Sequence, residues 1–175
     1  MKKIAFIIAL FLLTLSSGLS AQSGEKFGGT LNLGVGIGGY SGYYGYIGHN
    51  LPVLSANYEF DVARNFTLAP FLTFYSYTDE NYREIVTPIG VKGTLYLDRI
   101  LHAGSHWDFY TAGSLGFALV STTWDANYNG SRDYYSTVNP LYLDLHLGTE
   151  YHFNNHIGAF LDLSTGVSTV GIAIH

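Results

Sequence analysis

Three observations predict an all-β chain: an eight-stranded, antiparallel, up-and-down transmembrane β-barrel preceded by a cleaved signal peptide. Eight segments alternate apolar and polar residues with a period of two, as in a strand with two unlike faces. Every charge inside those segments falls on the polar phase. The chain opens on a short positive cluster followed by an apolar run. Composition agrees, since 21 of the 175 residues are Gly, 15 are Tyr, 11 are Phe and only 12% are charged. An average soluble domain is charged at about a quarter of its positions.

Met1, Lys2 and Lys3 lead into the apolar stretch Ile4 to Leu15, and Ser16 to Ala21 is small and polar apart from Leu19. This is the order of a secretory signal, and the apolar run is shorter than the about 20 residues of a membrane-spanning helix. Cleavage is expected after Ala21, which divides the chain into a signal peptide over 1–21 and a barrel domain over 22–175.

The first strand places Leu31, Leu33, Val35 and Ile37 opposite Thr30, Asn32 and glycines. The second sets Leu54, Ala56, Tyr58 and Phe60 against Ser55, Asn57, Glu59 and Asp61. Phe66 to Tyr75 gives the third, with Pro70 on its apolar phase. Proline removes a ladder donor, so a bulge or irregularity is expected there. The fourth puts Ile89, Val91, Leu95 and Leu97 opposite Gly90, Lys92, Thr94 and Tyr96. Phe109, Leu115, Phe117 and Leu119 mark the fifth. Leu141, Leu143, Leu145 and Leu147 mark the sixth, against Tyr142, Asp144, His146 and Gly148. Ile157 to Ser164 and Val170 to His175 complete the set.

Most of these segments have the about 9–11 residues of a tilted membrane strand, where soluble strands cluster near about 5–6. The strand charges Glu59, Asp61, Lys92, Asp98, Asp108, Asp144, Glu150 and Asp162 leave the apolar faces uninterrupted, and all four Arg are expected in connections. A lipid-facing surface demands this, because a mid-bilayer Arg or Lys costs about 2–4 kcal/mol. The connections 41–49, 78–84 and 121–139 are long, whereas 63–65, 99–105 and 154–155 are short. Long external loops, short periplasmic turns and an even strand count put both termini in the periplasm.

The absence of Cys excludes disulfide frameworks and thiolate metal sites. A net charge of −5 with no basic patch argues against nucleic acid. Abundant aromatics argue against disorder.

Signal peptide, eight alternating strands, Gly and Tyr richness and the strand-like end Val170-Gly-Ile-Ala-Ile-His175 together resemble the small outer-membrane β-barrels of Gram-negative bacteria, OmpA-like transmembrane domains and OmpX-like proteins. The resemblance covers the mature chain and rests on pattern, with no diagnostic motif. It implies an outer-membrane location, surrounding outer-membrane lipid and lipopolysaccharide, handling by the barrel-assembly machinery and a monomeric state. An external protein or host ligand at the outer loops is a further partner it suggests.

Glu59, Lys92, Asp144, His146 and Glu150 fall on the phase facing the lumen. An eight-stranded barrel is just wide enough for side chains to fill its interior, so a buried polar network is the reading preferred over a solute path. His102 and His106, and His152 and His156, share a four-residue spacing that would pair imidazoles on a helix. In turns and strand ends that spacing loses its meaning. Interfacial rings are therefore preferred, with no metal site, no cofactor and no catalytic group assigned. His156, Asp162 and Ser164 share one segment, but about 26 Å separates His156 from Ser164 along a strand. Tyr40, Tyr43, Tyr44, Tyr46, Phe74, Tyr75 and Tyr77 at one end, and Phe66, Trp107, Tyr151 and Phe153 at the other, are expected in part to form interfacial girdles. The loop residues Trp124, Tyr128, Arg132, Tyr134 and Tyr135 have the composition of an adaptable recognition surface and equally of a solvated loop.

The function expected is structural or interactive, namely membrane integrity, surface adhesion or host contact, without enzymatic activity. A narrow pore is the alternative. A lipid-modifying barrel lacks a catalytic constellation. A secreted soluble barrel binding an apolar ligand would need the two faces inverted.

Overall fold

The computed structural model describes residues 27–38, 53–78, 81–126, 128–130 and 140–175. Strands β1 (Leu31–Gly38), β2 (Val53–Tyr58), β3 (Phe60–Ala63), β4 (Phe66–Thr78) and β5 (Tyr82–Tyr96) are followed by a helical turn, α1 (Asp98–Leu101). Then come β6 (Trp107–Trp124), β7 (Leu141–His152), β8 (Ile157–Ser164) and β9 (Val167–Ile174). All pairings are antiparallel and join neighbours in sequence, except that β2 pairs β4 alongside β3 and that β1 also pairs β9, which closes the sheet into a barrel. Closure leaves no edge strand to seek a partner.

The barrel has eight strands, because β2 and β3 are halves of one. The register against β4 carries across the gap, with Asn57 opposite Phe71 and Phe60 opposite Leu68, and shifts only further on, between Asp61 and Ala63. The gap between them lies across from Pro70, which has no N–H to donate. The irregularity expected at Pro70 thus takes the form of a break in the neighbouring strand, while Pro70 itself stays paired with Val91. Glu59, in the gap, turns its backbone to the other side. Its N–H donates to the Thr30 carbonyl (2.9 Å), and its own carbonyl accepts the Gly29 N–H (2.7 Å).

The alternation sorts side chains as the sequence implies. Leu33, Val35, Leu72, Val91, Leu115, Leu143, Leu145, Leu161 and Val170 all point outward and are exposed. Asn32, Thr67, Lys92, Thr94, Asp144, Glu150 and Asp162 point inward and are buried. The inverted arrangement of a soluble carrier is absent. Tyr75 is corrected from girdle to lumen, where it is 3% exposed beside Val86 and Tyr142. Around Trp107 an external aromatic cluster does form, with Tyr151 at 4.8 Å between ring centroids, Phe109 at 6.1 Å, and Phe153 next to Tyr151 at 5.5 Å. Tyr40, Tyr43, Tyr44, Tyr46 and the side chain of Tyr77 lie outside the described set.

Two boundaries move. The β5–β6 ladder runs from Tyr96↔Tyr110 to Tyr82↔Trp124 without a shift, so Arg83, Glu84 and residues 121–124 belong to strands. At 15 and 18 residues these strands exceed what a membrane crossing needs and project beyond it. Asp98 opens α1 and accepts the Phe109 N–H at 2.6 Å, so it caps a connection where a strand charge was expected.

Candidate functional site

The lumen is filled in layers from the end that carries the turns 64–65 and 153–156, here the turn end, toward the opposite loop end. Phe27 stops the turn end. Its ring stacks on Tyr96 at 3.9 Å with an 11° tilt, and Tyr110 follows at 5.8 Å from Tyr96. Asp61 holds this stretch by accepting the N–H groups of Phe27 (3.2 Å) and Gly28 (2.9 Å). Gly148 makes room for Tyr110, since a Cβ there would stand 2.1 Å from the ring. Gly148→Ala is expected to cost about 1–3 kcal/mol by overpacking, read by urea unfolding in lipid vesicles.

Glu59 occupies the next layer. One oxygen accepts from Asn32 Nδ2 (2.9 Å), and the other accepts from the hydroxyls of Thr67 (2.5 Å) and Tyr96 (2.9 Å). A carboxylate has no proton of its own to give, and three donors satisfy most of its capacity.

Asp162 is the hub of the central layer. Lys92 Nζ and the Tyr110 hydroxyl (3.2 Å) both donate to its Oδ2, and the Lys92 ammonium also lies 5.0 Å from the Tyr110 ring centre. His146 Nδ1 sits 2.7 Å from Asp162 Oδ1, and His146 Nε2 lies 2.8 Å from Ser114 Oγ. The carboxylate only accepts, so Nδ1 carries the hydrogen in that contact.

Asp144 works differently, as an anchor for the turn between β8 and β9. It accepts from Ser164 Oγ (2.9 Å), Thr165 Oγ1 (2.6 Å) and the backbone N–H groups of Gly166 (2.8 Å) and Val167 (3.2 Å). Tyr142 adds its hydroxyl at 3.0 Å. Asp144→Asn is expected to cost about 1–2 kcal/mol. Faster amide exchange at Gly166 and Val167 would locate the loss in that turn.

The structure therefore spreads the five lumen residues read from the sequence over several layers, with His146 Nε2 still 3.8 Å from Asp144 Oδ2. Lys92 and His146 meet at Asp162, which was not among them. Asp144 lies toward the loop end, Glu59 toward the turn end, and Glu150 at the turn-end mouth, 2.8 Å from His175. Asp162 was legible as a polar-phase charge, but its partners depend on which strands face each other across the lumen. No residue spacing reports that.

Ser114, His146 and Asp162 stand in the order of a hydrolytic triad. Beside them, however, is a cavity of about 40 Å³ lined by Asn57, Thr73 and Tyr142 among others. That is room for a water or two and not for an acyl substrate. Asp162 is committed to Lys92 as well, so the arrangement reads as packing of a polar core.

At the loop end the recognition residues are partly visible. Trp124 closes β6 as a strand residue, where a loop position was expected. Its ring lies 5.2 Å from Tyr82 and stacks on Tyr128 at 4.9 Å with a 13° tilt. Arg132, Tyr134 and Tyr135 lie outside the described residues.

No family model matches the chain, and no curated protein matches it. Solved structures do. A barrel from the de novo design of transmembrane β-barrels is 11% identical and superposes with a TM-score of 0.50 over 86% of this chain and 98% of the designed one. The fold is that of a transmembrane β-barrel. A designed chain shares it at such low identity because alternation and closure set the architecture, not individual residues. Two structures of the Yersinia pestis protein Ail were also found. One is a crystal structure of this attachment invasion locus protein with the heparin analogue sucrose octasulfate (6% identity, TM-score 0.46, 83% of this chain and 94% of that one). The other is a backbone structure of the outer membrane protein Ail in a phospholipid bilayer nanodisc (12%, 0.43, 83% and 98%).

Proposed function

We propose that the chain is an integral outer-membrane protein, exported with loss of residues 1–21, whose barrel is a closed support for surface loops. The turn end faces the periplasm, and the loops face outward to neighbouring surfaces or host ligands. The role is structural or interactive and not enzymatic. One observation carries this reading: the outward phase of the described strands is mostly apolar and exposed, around a lumen packed with hydrogen-bonded charges and tyrosines. An apolar wall needs lipid, and a packed lumen has no path to conduct.

A pore is the second reading, supported by the acidic lining alone. Planar bilayers separate the two. Purified barrel is expected to give no discrete conductance steps. Steps that change with Lys92→Met or Glu59→Gln would replace the closed-support reading with a pore. Trimming residues 126–139 is expected to abolish cell-surface binding while the folded barrel survives. Binding indifferent to trimming would contradict a role for that loop.

A further inference from the structure

We propose that Glu150, His152 and His175 form a binding site for a divalent transition metal ion, with Zn²⁺ the best chemical match, at the turn-end mouth of the lumen. Three strands bring together what no stretch of sequence does. Glu150 and His152 lie near the end of β7, Asp108 near the start of β6, and His175 just after β9. One ligand atom from each of Glu150, His152 and His175 lies within 4.8 Å of the others. Glu150 Oε1 is 2.8 Å from His175 Nε2 and 3.8 Å from His152 Nδ1. These bracket the about 3.4 Å between ligand atoms of a tetrahedral ion with bonds of about 2.0–2.2 Å.

The second observation is a count of hydrogens. Thr30 Oγ1 donates to the Phe27 carbonyl at 2.9 Å, and a carbonyl only accepts. The single hydroxyl hydrogen is thereby committed. Thr30 Oγ1 also lies 2.9 Å from His175 Nδ1, so Nδ1 must be the donor in that contact. A neutral ring then presents a bare Nε2 lone pair toward the Glu150 carboxylate. Two acceptors face each other unless a cation, either a second proton or a metal ion, lies between them.

His152 repeats the arrangement. Its Nε2 is 2.8 Å from Asp108 Oδ2, a partner that orients the ring and leaves Nδ1 turned toward Glu150. An imidazole whose far nitrogen donates to a carboxylate or hydroxyl is the usual outer shell of a metal-bound histidine. Here both rings have one.

Charge and space agree. Two carboxylates meet at this mouth, and among the described residues no Lys or Arg pairs with either. Gly158 clears the place of the Glu150 head group, since a Cβ there would lie 2.2 Å from Oε1. Two imidazoles and a carboxylate suit Zn²⁺, with a fourth position left for water.

The test uses tag-free barrel folded in detergent, titrated with Zn²⁺ against a chromophoric chelator. One equivalent is expected to bind. His175→Ala and His152→Ala should each weaken binding by more than about 100-fold, and Asp108→Asn by about 10–100-fold through loss of orientation. His156→Ala, in the exposed neighbouring turn, should leave it unchanged. Less than one equivalent in the parent protein, or equal loss in the His156 and His175 variants, would overturn the site. X-ray absorption at the zinc edge of the unmutated protein removes any dependence on variant folding. Two imidazoles and an oxygen in the shell support the assignment, and a shell without imidazole refutes it.

Discussion

Replacing Lys92 with Met is expected to lower the unfolding free energy of the barrel by about 3–5 kcal/mol. Lys92 is 6% exposed and its ammonium donates to Asp162, itself 3% exposed. Removing it leaves an ionised carboxylate in the lumen with only the Tyr110 hydroxyl and His146 as donors. The loss should propagate, since the same carboxylate orients the imidazole that is hydrogen-bonded to Ser114. The double variant Lys92→Met with Asp162→Leu should recover much of the loss, because an apolar pair of similar volume avoids desolvating two charges. Urea unfolding of the single and double variants in lipid vesicles gives both numbers. A single variant within about 0.5 kcal/mol of the parent would mean that the lumen is hydrated and the pair is screened.

Leu145→Arg is the second large effect, at about 2–4 kcal/mol. Leu145 points away from the lumen and is 68% exposed. In a soluble protein, an Arg at so open a position would change stability by no more than about 0.5 kcal/mol. In a bilayer the penalty depends on depth. Tyr151 sits in the external aromatic cluster, and a tilted strand crosses the membrane in about 9–11 residues. Leu145 lies six residues along the strand from that cluster, inside the span, and Leu141 lies ten residues away at the far interface, where the cost of Arg falls to about 0–1 kcal/mol. A penalty at 145 well above that at 141 supports a membrane crossing. Equal, small effects contradict it.

Much of the architecture was legible in the sequence because a membrane strand writes its two environments directly into alternate residues. Leu141, Leu143, Leu145 and Leu147 announce lipid, while Tyr142, Asp144 and His146 announce an interior. Strand ends were less legible. Arg83 and Trp124 look like loop residues because β5 and β6 continue into water, where the alternation no longer has lipid to record. The break at Glu59 depends on Pro70 standing opposite, a matter of register between two strands.

The polar interior was legible as a list and not as contacts. Asp162 becomes the partner of Lys92, 70 residues away, only when the barrel closes. Likewise the four-residue spacing of His152 and His156, which has no pairing meaning in a turn, gave no hint of the partner that His152 has. His152 meets His175, with ring centres 4.9 Å apart, because β7 and β9 flank β8 and their ends curve to one mouth.

The most direct test of the central claim, a closed transmembrane barrel, is gel mobility of detergent-extracted outer membranes run unheated and boiled. A closed barrel resists unfolding by detergent when cold, because every strand is paired and no edge is open. The protein is expected in the membrane fraction, with different mobilities before and after boiling. Recovery in the soluble fraction with a single mobility would contradict the account.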